Sequence, residues 1–95
     1  MKKLKVKIQE LGYSTERESY FVTYQVSNLE EDSLNKLQER LEDPIIVKGD
    51  NLYLTVYFEE KYYPFRSAEA QRNPADFIAR EELEMTAYLL DLLED

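Results

Sequence analysis

Cysteine and histidine are both absent from this 95-residue chain, and together the two absences exclude much of the usual chemistry of protein sites. Without cysteine there are no disulfides, thiolate metal sites or thiol nucleophiles, and no need for an oxidising compartment. Without histidine the commonest general base and a principal zinc ligand are missing. Only two glycines and three prolines remain to mark turns. No apolar run approaches the ~18 residues of a membrane span, and the lysine-rich start is not followed by a signal-type apolar region. The expectation is a cytoplasmic protein without a membrane partner, a cofactor or a bound metal.

What is present suits one small folded domain over residues 1–95. The apolar fraction of 43% and the eight tyrosines and four phenylalanines are too rich for disorder, although a third of the chain is charged. The net charge is −8. Four basic residues (Lys2, Lys3, Lys5 and Lys7) crowd the start, so the body beyond them is more acidic still. Such a body repels phosphate backbones and attracts basic partners.

Hydropathy patterning predicts a ββαββα order. From Lys3 to Leu11, Leu4, Val6 and Ile8 alternate with Lys3, Lys5, Lys7 and Gln9, the period of a half-buried strand. After a polar connection over Gly12–Glu18, a second strand over Ser19–Val26 puts Tyr20, Val22, Tyr24 and Val26 on one side and Phe21, Thr23 and Gln25 on the other. Ser27 with Glu30, or Asn28 with Glu31, offers a capping box for a helix striped by Leu34, Leu37 and Leu41, which Pro44 is expected to end. A short strand at Ile45–Lys48, a turn at Gly49–Asn51 and a strand at Leu52–Glu59 make a second hairpin, with Leu54, Val56 and Phe58 facing in and Tyr53, Thr55 and Tyr57 facing out. In the long connection that follows, Tyr62, Tyr63 and Phe65 flank Pro64, and Ser67–Gln71 can close one helical turn. Asn73 then caps a last helix, with Pro74 at its first position. The fold class is α+β, a two-layer sandwich in which both helices cover one face of a four-stranded sheet.

The last helix, Pro74–Leu93, is the most informative segment. Phe77, Tyr88, Leu92, Met85, Ile78, Leu89 and Leu93 follow one another around its axis, and Ala79, Leu90 and Leu83 continue the arc. Roughly two-thirds of the circumference is oily, against the ~100° stripe a helix needs to sit on a core. The excess predicts a protein interface at Leu83, Leu90, Leu93 and Thr86, with a homodimer as the default partner. Glu81 and Glu82 fall inside the arc. They read as boundary residues that reach water or pair with Lys or Arg, the alternative being a general acid tuned by burial.

Three other constellations bear on function. Surface acids at Glu30, Glu31, Asp32, Glu39, Glu42, Asp43, Glu84 and Asp91, continued by Glu69, Asp76, Glu94 and Asp95, suit a small non-enzymatic inhibitor that presents DNA-mimic-like charge to a basic nucleic-acid-handling protein. The outward sheet face joins Lys3, Lys5 and Lys7 to Tyr53 and Tyr57, residue types that can hold phosphates and stack bases. The acidic body opposes nucleic acid, so direct nucleic-acid binding stands only as the alternative. Glu59-Glu60-Lys61 with Asp50 ahead of it has the spelling of a metal-dependent nuclease pair, in which carboxylates hold Mg²⁺ and Lys61 steadies a phosphate or water.

Overall fold

The computed structural model describes residues 3–94. Lys2 of the basic cluster and Asp95 of the acidic one lie outside the described residues. Four strands, β1 (Lys5–Ser14), β2 (Ser19–Ser27), β3 (Ile45–Lys48) and β4 (Asn51–Phe58), form one sheet in the order β1-β2-β4-β3, antiparallel throughout. Helix α1 (Glu31–Arg40) joins the hairpins. Helix α3 (Pro74–Leu93) follows two 3₁₀ turns, Glu60–Tyr62 and Pro64–Arg66, and the short α2 (Ala68–Arg72). The architecture is the expected two-layer α+β sandwich.

The alternation of side chains fixes which sheet face is buried. In register across the sheet, Val26 pairs with Val6 and Leu52, and Tyr24 with Ile8 and Leu54; this face meets the helices. Val22, Val26, Leu52 and Leu54 are fully buried there, together with Leu37 from α1 and Leu89 from α3. Among the described residues no charged side chain is buried, and the buried side chains that carry a hydroxyl are those of Tyr24 and Tyr63.

Three local features differ from the sequence expectation. β1 runs to Ser14 instead of ending at Leu11, because the register slips between Ile8 and Glu10 and leaves Gln9 as a bulge. The slip inverts the parity of alternation, so Leu11 and Tyr13 fall on the same side of the sheet as Val22 and Tyr20, although both lie beyond the helices and stay exposed. No capping box forms at α1. Asn28 adopts a left-handed φ of 59°, Leu29 drops into the core, and Glu30 stands at the cap position without a side-chain bond. The helix also stops before Pro44 acts: Leu41 is already extended and is drawn into the core, while the Pro44 carbonyl accepts the Thr55 N–H at 3.1 Å.

Elsewhere local chemistry and element boundaries agree. Gly49, at φ 60°, is the first central residue of the tight β3–β4 turn, a conformation that costs glycine little. Ser67 caps α2 by accepting the Ala70 N–H at 3.1 Å. α3 begins at Pro74 as read, although the Asn73 side chain makes no capping bond. The Arg40 guanidinium, leaving the end of α1, donates to the carbonyls of Leu92 at 2.6 Å and Glu94 at 3.3 Å, satisfying acceptors that the end of α3 leaves open.

Candidate functional site: the helical layer and the outer side of α3

α3 has two unlike apolar sides. Its inner side is filled: Phe77 and Leu89 are buried, and Met85, Leu92 and Leu93 pack against the core. Its outer side carries Leu83 at 70% exposure and Leu90 at 50%, with Ala79 and Ala87 also exposed. Thr86 lies between them, and its hydroxyl donates back to the Glu82 carbonyl at 2.8 Å. Of the residues read as an interface, Leu83 and Leu90 therefore stand in solvent, while Leu93 and Thr86 are half-buried. Tyr88, placed by periodicity on the inner arc, is 50% exposed at its margin. Beside Leu90 and Leu93 a groove of ≈ 280 Å³ opens, bounded across from α3 by Leu4, Leu29 and Ser33.

The two glutamates inside the arc part ways. The Glu82 carboxylate accepts the Ile8 N–H at 2.7 Å, on the outer edge of β1 next to the bulge. Glu81 is half-buried, and burial followed by the charge of Glu84 pushes its carboxyl above the ordinary range. Both belong to the field around Tyr24, whose phenol is pushed up to about 12, by burial first and then chiefly by Glu81 and Glu84.

The acids fall largely on the helical layer. Glu30, Glu31, Asp32, Glu39 and Glu42 are exposed on or beside α1, Asp43 is half-buried, and Glu84 and Asp91 are exposed on α3. Asp32 pairs with Lys36 one helical turn away at 3.5 Å. Glu69 of α2 pairs with Arg80 of α3 at 2.8 Å; this guanidinium holds the Glu69 carboxyl below its ordinary value.

On the opposite side, the outward sheet face gathers the basic and aromatic residues expected there. One row runs Lys7, Gln25, Tyr53, Ile46, and another Gly12, Phe21, Tyr57. Lys3, Lys5 and Lys7 are exposed, and Tyr53 and Tyr57 are half-buried. Cations already lie over both rings, Lys48 at 5.9 Å from Tyr53 and Arg17 at 4.5 Å from Tyr57. Thr23 and Thr55 share a hydrogen bond of 3.0 Å in the middle of this face. The Phe21 ring covers Gly12 at a distance that would leave a Cβ there in ordinary contact.

The nuclease-like residues are not brought together. Asp50 and Glu59 flank opposite ends of β4, a separation of about 30 Å at ~3.3 Å per residue. Glu59 pairs with Lys61 at 3.9 Å and Glu60 with Arg66, so the acids of this tripeptide face cations already. Among the described residues no group of three or more Asp and Glu side chains is placed to hold a metal ion. None of their helices is long and apolar enough to cross a membrane.

One structural cluster escaped the sequence reading. Tyr13, Tyr20, Tyr63, Phe65 and Phe77 make a continuous series of ring contacts from the tip of the first hairpin to the start of α3. Tyr20 and Tyr63 stack at 4.6 Å, and Phe58 joins at 6.0 Å. The Tyr63 hydroxyl is buried here without a hydrogen-bond partner, and burial, then Tyr20, raises its pKa. The aromatic density around Pro64 was the available signal, since rings so placed can pin an irregular connection that has no periodicity.

No curated protein matches the chain. A family model does match, over residues 5–95, and so spans β1 through α3. The chain therefore belongs to a family of unknown function, DUF5750.

Proposed function

We propose that this protein is a non-enzymatic binding module that docks a basic, nucleic-acid-handling protein through its helical layer. The observation that carries the reading is the pairing, on one layer, of exposed Leu83 and Leu90 with exposed Glu30, Glu31, Asp32, Glu39, Glu42, Glu84 and Asp91. A solvated acidic face needs no leucines. An interface needs both, an apolar anchor that excludes water and a charged rim that steers and orients the partner. The charge sign selects a basic surface, and carboxylates spread along two helices suit a groove built for phosphates.

The test is affinity isolation with the intact chain, followed by identification and direct titration of what is bound. The expected result is a basic protein whose binding weakens as salt rises and falls at least tenfold on replacing Glu84 and Asp91 by Gln and Asn. Binding that ignores salt and these acids overturns the reading. The gathering of Lys5, Lys7, Tyr53 and Tyr57 on the sheet face supports a second reading, single-stranded nucleic-acid binding. Its test is the anisotropy of a labelled oligonucleotide, with Tyr53→Ala and Tyr57→Ala expected to reduce any salt-sensitive signal.

A further inference from the structure

We propose that the outer side of α3 pairs with α3 of a second copy of this chain, antiparallel, about a two-fold axis passing between Thr86 and Ala87. The inference rests on the reading of the helical layer as a docking surface; Leu83 and Leu90 serve one occupant at a time, so the second copy covers them in the absence of the basic protein and is displaced by it.

Four observations converge. First, Ala79, Leu83, Thr86, Leu90 and Leu93 are separated by alternating steps of four and three, the spacing that keeps one seam of a helix facing another helix. Leu83 and Leu90 are the exposed large residues of that seam. Second, the central part of the seam is self-complementary. Reversed about the midpoint of Thr86 and Ala87, Leu83 falls on Leu90 and Thr86 on Ala87, which is what an isologous two-fold contact requires. The residues nearest the axis are small, so the helices can approach closely there.

Third, the surface supplies a projection and a recess at matching distance. Leu83 projects, and one heptad away, about 10 Å along the axis, Leu90 and Leu93 border the ≈ 280 Å³ groove whose far wall is Leu4 and Leu29 with Asn28, Glu30 and Ser33 beside them. Antiparallel pairing brings the Leu83 of each copy to the level of the other's Leu90, at the mouth of this groove, twice per dimer. Fourth, charge selects the direction. Parallel helices would set Glu84 against Glu84 and Asp91 against Asp91. Antiparallel helices remove both of these encounters and set Arg80, which already pairs with Glu69, toward the end that carries Asp91 and Glu94, although Glu82 then comes level with Asp91.

The contact is small and joins two chains of charge −8, so the dissociation constant belongs in the range of about 1–100 µM. Salt strengthens this dimer by screening repulsion between like-charged copies, the opposite of its effect on a complex with a basic protein. Sedimentation equilibrium of the intact chain at low and high salt is the first measurement. A monomer–dimer equilibrium that tightens with salt is expected, and Leu83→Ser should weaken it at least tenfold while leaving the thermal midpoint of dilute protein unchanged. Because the chain has no cysteine, crosslinking reads the axis directly. Under mild oxidation Ala87→Cys, next to the axis, should form a disulfide-linked dimer, and Ala79→Cys should not.

Two outcomes overturn the proposal: a monomer at all concentrations with wild-type sequence, or linkage of Ala79→Cys as efficient as that of Ala87→Cys. A monomer that still binds a basic protein, with loss of binding in Leu83→Ser, removes the second copy and leaves the docking surface standing. A dimer with no such partner does the reverse.

Discussion

Leu89 and Leu83 are the same residue on the same helix, one fully buried and the other 70% exposed. Nothing in their local propensity distinguishes them. What differs is the surface opposite: Leu89 belongs to the cluster formed by Leu37, Leu52, Val26 and their neighbours, whereas Leu83 has no part in that core. The same two-sidedness sorts the glutamates. Glu82 reaches inward to the Ile8 N–H, and Glu84 stays in water. An apolar arc wider than its core thus divides into a part that builds the fold and a part available to something else, and mutations should separate the two.

The largest separation comes from truncating the leucines one at a time. Leu89→Ala should cost about 2–5 kcal/mol, and Leu83→Ala less than about 0.5 kcal/mol, in chemical denaturation of dilute protein. Equal costs would break the comparison. The buried side of the layer should also fail first in alkali. With its folded pKa pushed to about 12 from 10.0, Tyr24 contributes stability that is complete below pH 10 and is lost as pH rises toward 12. The total is about 2–3 kcal/mol, and Tyr24→Phe should flatten that part of a stability profile against pH.

At the start of α3, Tyr63→Phe should raise stability by about 1–2 kcal/mol, because it removes a buried hydroxyl without a partner while keeping the ring stack. A decrease would show that the hydroxyl contributes to the cluster. Smallest is the boundary residue Glu81. Its raised pKa means that its contribution is complete at acid pH and is lost as pH rises through the folded value. Glu81→Gln should therefore stabilise at neutral pH by less than about 1 kcal/mol, a gain that shrinks on acidification.

Much of this architecture can be read from the residues. Strict alternation in Tyr20–Val26 and Leu52–Phe58 identifies both central strands and their inward faces, since period two is hard to mistake where one face is buried. α3 announces its start through Asn73-Pro74. The Gln9 bulge was not legible, because an inserted residue leaves alternation intact on either side and only inverts its parity. The start of α1 was misread for a related reason: burial of Leu29 and the left-handed turn at Asn28 outweigh a capping box of modest energy. The site shows the same limit. Periodicity revealed that α3 carries too much apolar surface, but the choice of Leu83 and Leu90 over Leu93 depends on where the core ends, a property of packing and not of pattern.

Leu4 and Leu93 line the same groove, although almost the whole chain separates them. The path of the backbone is thus nearly a closed loop, and the order in which its elements are joined is not what holds them together. A short flexible linker joining Lys3 to Glu94, with the backbone opened at the exposed Gly49–Asp50 tip, should yield a circularly permuted form of residues 3–94 that retains the sheet order and both helices.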